Sequence, residues 1–148
     1  MNNETTTFEA ELERHGTLVY PNVGVSMMPL LRQGRDLMII SRRPAGRLKK
    51  YDAVLYKRGD RYILHRILKV REKDYVICGD HNWKREYGIT DDQIIGVLTA
   101  FVRDGVETPV TDRRYLRYVH LWCDFFPIRA AILWCKALPY RIKRKLRG

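Results

Sequence analysis

Between Asp36 and Val102 the chain is cut into short apolar runs, each closed by a tight polar turn. Such punctuation leaves no room for long helices, so the backbone must find its partners in strand ladders joined by hairpins. The predicted fold is therefore mainly β and antiparallel. Residues 36–41 read as a buried strand, and residues 51–56 and 62–72 as strands around the hairpin signal Arg58-Gly59-Asp60. Lys73-Asp74 turns the chain into a strand over 75–78. Thr90-Asp91-Asp92-Gln93 starts a helical turn, and residues 94–102 form a last strand before Asp104-Gly105. The basic loop 42–50 reads as a solvated connection. The flanks differ in character. Residues 5–15 predict a short helix capped by Thr7, with Phe8, Leu12 and His15 at helical spacing and Gly16 as its stop. Residues 17–25 read as extended, broken at Pro21. Residues 112–147 read as helical, with breaks at Pro127 and near Pro139. There Leu116, Val119, Trp122 and Cys123 share one face, and Phe126, Ala130, Leu133 and Trp134 another. At 148 residues the chain supports one domain with a core. It divides into a β domain over 1–110 and a basic amphipathic helical arm over 111–148.

The chemistry centres on Gly24-Val25-Ser26-Met27-Met28-Pro29, a serine in an apolar turn. A serine hydroxyl is a poor nucleophile unless a base lies within hydrogen-bond reach. The predicted base is His65, which strand alternation places on one face with Ile63 and Ile67. A lone histidine on an apolar face is more often a core residue; what selects it is the resemblance set out below, in which it stands in order between Ser26 and Gly79-Asp80. Burial there keeps the imidazole neutral and able to accept the serine proton. Two carboxylates could orient it, Asp80 and Glu86, and the sequence leaves both open. Pro29 and Gly34 bracket one predicted helical turn that would present Ser26 near its start, with backbone N–H groups as oxyanion donors. Gly24 offers no hydroxyl for that role. Arg66 points to the opposite face as a structural residue, Lys57 and Lys69 are rival bases, and His81 is taken as a surface residue.

Ser26-Met27-Met28-Pro29 with Gly34-Arg35-Asp36, then His65-Arg66, then Gly79-Asp80-His81-Asn82, resemble in order the signatures of the signal peptidase and LexA-like superfamily of serine peptidases. The resemblance covers roughly residues 17–103. Histidine as the base looks like the archaeal, endoplasmic-reticulum and sporulation-type signal peptidases. The sequence departs from the pattern by one extra residue before Asp36, by His81 ahead of Asn82, and by Glu86 where that branch carries an aspartate. The resemblance implies a coiled antiparallel β-sheet core and a serine endopeptidase. It also implies a peptide or precursor-protein substrate, extended and with small residues before the cut, bound by strand addition. Two rivals are a non-catalytic peptide-binding module and a LexA-like self-cleaving regulator. The latter needs a DNA-binding or cleavable arm; the 25 residues before Ser26 read as too few for a helix-turn-helix domain, and the base is His where that branch uses Lys.

Charge bears on partners and place. The formal net charge is +11. Residues 111–148 hold ten Lys or Arg against Asp112 and Asp124, so about +8 of it lies in the last quarter. Such an excess favours anionic partners. Trp, Phe and Leu interleaved with Arg and Lys fit a helix on an anionic membrane surface. A helical arm packed on the core with a solvated tail fits equally. No recognition motif accompanies the basic run, so nucleic acid is not expected as a partner. No signal peptide and no transmembrane helix are read from the sequence. The expected location is cytoplasmic, or peripheral at the cytoplasmic membrane. Cys78, Cys123 and Cys135 form no CxxC, which suits a reducing compartment. Cys78-x-x-His81 lacks a second ligand pair, so no metal and no cofactor is expected.

Overall fold

The computed structural model describes residues 6–147. Helix α1 (Phe8–His15) leads into strands β1 (Thr17–Pro21), β2 (Asp36–Arg42), β3 (Ala53–Arg58), β4 (Arg61–Val70), β5 (Tyr75–Cys78), β6 (Glu86–Ile89), β7 (Ile94–Arg103) and β8 (Val106–Pro109). Helices α2 (Arg113–Asp124) and α3 (Phe126–Leu146) close the chain. All eight strands join one sheet, in the order β1-β2-β7-β3-β4-β5-β6, with β8 also on β7, and every pairing is antiparallel. The fold is thus mainly antiparallel β with three helices.

Local chemistry accounts for the ends of the elements. Thr7 Oγ1 accepts from Ala10 N–H at 3.2 Å, capping α1. Gly16, at φ 74°, donates its N–H to Leu12 O and turns the chain into β1. Gly59, at φ 60°, supports the tight loop between β3 and β4. Register shifts at Ile39/Ile40, Leu55/Tyr56 and Ile67/Lys69 add local twist. Both faces of the sheet are covered. On β3, Ala53 and Leu55 enter one apolar cluster with Met27, Leu31, Ile40 and Leu98; Val54 and Tyr56 enter a second with Ile67, Tyr75, Ile77 and Ile94. Period-two alternation on a strand buried on both sides produces this division.

The helical C-terminal region differs from its expected faces. Tyr115, Val119 and Cys123 bury α2 against the first cluster, while Leu116 is exposed. Phe126, Arg129 and Leu133 are the buried residues of α3, while Trp134 is exposed. Pro127 starts α3, where its missing N–H has no intrahelical partner to lose. Pro139 does not break the helix, which runs through it to Leu146. Among the described residues no helix is long and apolar enough to cross a membrane.

Candidate active site

The stretch around Ser26 is held by bonds the sequence only partly announces. It forms hydrogen-bonded turns, Met28 N–H to Val25 O and Leu31 N–H to Met27 O, rather than the expected helical turn. Met27 is buried beneath it, Gly24 takes φ 83°, and Gly24 N–H donates to Gln33 Oε1 at 2.8 Å. Asp36 closes the loop. Its buried carboxylate accepts from Arg32 N–H, Arg35 and Arg103, and Arg103 also reaches Leu30 O. Burial alone would raise the Asp36 pKa, but the hydrogen bonds from Arg103, Arg35 and the Arg32 amide outweigh it and hold it at about 2. Asp36 is therefore the ionised clasp of the serine loop.

His65 stands on β4 opposite Val54 of β3 and is buried. Its Nδ1 lies 2.8 Å from Glu86 Oε1. Glu86 in turn accepts from Tyr56 Oη at 3.0 Å on each oxygen and from Arg58 at 2.6 Å. Burial is the main influence on the imidazole and lowers its pKa below the ordinary 6.5, with Glu86 pulling the other way. Burial and Glu86 push the Tyr56 phenol far above its usual range, so it stays a neutral donor. An Nδ1–H given to Glu86 leaves Nε2 as the ring's acceptor.

That Nε2 faces the polar turn after β5. A Cβ built on Gly79 would lie 2.9 Å from His65 Nε2, 2.6 Å from the Ser26 carbonyl oxygen and 2.7 Å from Asn82 Nδ2. The Ser26 carbonyl and the imidazole tip thus stand no further apart than the sum of two such short distances. His81 N–H donates to the Ser26 carbonyl at 2.8 Å, latching the two turns together. Only a glycine fits at this junction. Gly79→Ala is expected to push the Ser26 turn away from His65 and, under the peptidase reading proposed below, to cut kcat about a hundredfold, the scale of a misplacement of about 1 Å. Peptide cleavage kinetics with circular dichroism check this; wild-type kcat in a folded variant would refute the junction.

Of the sequence candidates, the structure sets Glu86 on His65 Nδ1 and brings the backbone carbonyl of Ser26 to the Gly79 junction that His65 Nε2 also reaches. It sends Asp80 elsewhere. Asp80 is fully buried and takes Arg66 on both oxygens at 2.9 Å, with Tyr118 Oη donating at 2.7 Å. Alternation explains the split: Arg66 points to the α2 side of β4, His65 to the other. Of the rival bases, exposed Lys57 pairs with Glu9, and Lys69 is exposed on β4. His81 is half-buried rather than a surface residue. The Cys78 thiol donates to the carbonyls of Asn82 and Lys84, and burial pushes it up to about 11.

Three participants escaped the sequence reading. Tyr56 and Arg58 hold Glu86, and their places two apart on one strand were the available signal. Arg129 of α3 is buried and donates to Gly79 O at 2.8 Å and to Asn82 O at 3.1 Å, steadying the turn over Ser26. Its signal was an arginine spaced with Phe126 and Leu133 on one helix face. Under the peptidase reading proposed below, Glu86→Gln is expected to lower kcat by about a hundredfold or more, by loosening the imidazole and its tautomer. Glu86 raises the His65 pKa, so its loss moves the acid limb of the pH profile to lower pH, below a wild-type limb already under 6.5. A limb that moved upward in Glu86→Gln would contradict this assignment. Compared with family models, curated proteins and solved structures, the chain matches none.

Proposed function

We propose that the protein is a serine endopeptidase in which Ser26 is the nucleophile, His65 its base and Glu86 the group that orients the imidazole. One observation carries the reading: His65 Nδ1 sits on Glu86 at 2.8 Å while Nε2 faces the Gly79 junction with the Ser26 turn. The family resemblance in the order Ser26, His65, Gly79-Asp80 supports it independently. In this scheme Nε2 takes the Ser26 hydroxyl proton as Oγ bonds to the scissile carbonyl carbon. Backbone N–H groups of the serine turn receive the oxyanion. His65 gives its proton to the leaving amine as the C–N bond breaks, and water then releases the acyl-enzyme through the same relay.

A cleft of about 450 Å³ ends on Ser26, between Tyr20, Val23 and Met27 on one side and Tyr62, Ile63 and Leu64 on the other. The β4 strand pairs with β5 only from Arg66 onward. Its residues 61–65 therefore present a backbone edge beside the cleft, along which an extended peptide can add as a strand. The substrate in this reading is an extended peptide or precursor segment with small residues before the cut.

The test is cleavage of a peptide library by the wild-type protein and by Ser26→Ala and His65→Ala. Cleavage lost in both variants supports the dyad, and the products define the residues before the cut. Cleavage that survives in both removes it. Peptide binding without cleavage by the wild type would favour the binding-module reading.

A further inference from the structure

Helix α3 has a second apolar face that the core does not use. Its core face is Phe126, Arg129 and Leu133. On the opposite side Ile128, Ile132, Cys135, Pro139, Ile142 and Leu146 follow one another at alternating spacings of four and three, and all six are exposed. Ile128 is 60% exposed, Ile142 51% and Leu146 82%. This spacing makes a continuous stripe along a helix of roughly 30 Å. Basic residues edge it on both sides, Lys136 and Lys143 on one and Lys145 on the other. From Phe125 to Arg147 there is no Asp or Glu.

The charge decides between occupants. A second copy laid along the stripe would set basic edge against basic edge, where paired helices use opposite charges. A helical protein partner would be registered by charges of both signs, and the edges carry only one. An anionic lipid surface satisfies both features at once: the stripe enters the acyl boundary and the edges meet the headgroups. We propose that α3 docks the protein flat on an anionic membrane through the Ile128–Leu146 stripe. The start of the same helix holds the Gly79–Asn82 turn through Arg129 on its core face, so docking through the stripe leaves that turn on the side of α3 away from the lipid. The inference stands on charge and exposure and does not depend on catalysis.

The test is co-sedimentation of the full chain with vesicles of equal parts phosphatidylglycerol and phosphatidylcholine, and with phosphatidylcholine alone. The expected result is binding to the former, weakened by salt, and none to the latter. Ile132→Glu with Ile142→Glu replaces exposed side chains only, and should lower binding by at least about tenfold without changing the circular dichroism. Lys143→Gln with Lys145→Gln should lower it by about fivefold per charge. Failure to bind anionic vesicles overturns the proposal, as does equal binding by the Ile→Glu variant. A dimer in sedimentation equilibrium that Ile132→Glu with Ile142→Glu abolishes would overturn it in favour of a second copy.

Discussion

Ser26→Ala and His65→Ala are each expected to lower peptide cleavage by at least about a thousandfold, and the double variant by no more than either alone. In the proposed dyad nucleophile and base act as one unit, so removing the second member after the first has nothing left to subtract. What survives reflects binding and the oxyanion donors. The pH profile adds a signed expectation. The proposed mechanism needs neutral His65, and burial places its pKa below 6.5. Activity should therefore hold down through pH 6.5 and fall below it as the ring takes up a proton. The same lowering acts on stability. The unfolded chain binds that proton more readily, so this contribution is full above pH 6.5 and is lost as pH falls through the folded pKa. Burst kinetics on an activated ester would show the acyl-enzyme, and additive losses in the double variant would break the dyad.

Asp80→Ala is expected to destabilise the fold by about 3–5 kcal/mol, the cost of leaving one member of a buried ion pair without the other. Arg66 is fully buried, as is Asp80. Besides Asp80, Arg66 donates to Tyr51 O at 2.8 Å and to Tyr115 Oη at 2.9 Å. Tyr118 and Trp122, both on α2, reach Asp80 as well, Trp122 through the Asp80 carbonyl at 2.6 Å. The pair is thus the bolt between β4, the turn after β5, and α2. A loss of this size is a large share of the roughly 5–15 kcal/mol that holds a domain together. Asp80→Ala combined with Arg66→Met should recover part of it, because the orphaned charge goes too. Urea unfolding followed by circular dichroism measures both. Asp80→Ala with wild-type stability but no activity would instead return Asp80 to the catalytic group.

The difference between Asp80 and Glu86 shows where sequence reading stops. Both are acidic and both follow β5, so composition and order treat them alike. Glu86 reaches His65 because β6 pairs Glu86 with Ile77. That strand is four residues long, contains Gly88, and has no apolar alternation to announce it. Arg129 is a similar case. It lies 50 residues from the carbonyl of Gly79 that it holds, and no local pattern encodes such a distance.

Some things followed from the chain alone, because they depend on neighbours a few residues apart. The Thr7 cap and Gly16 stop of α1, the hairpin at Gly59, the placement of His65 and Arg66 on opposite faces of β4, and the antiparallel β class are all local consequences of period, cap and turn chemistry. Tertiary structure alone decided which carboxylate meets the imidazole, that Gly79 must be a glycine, and that α2 is bolted to the sheet while one face of α3 stays bare. Each of those depends on which face of the sheet two distant segments meet, and strand pairing and register, not sequence order, set that face.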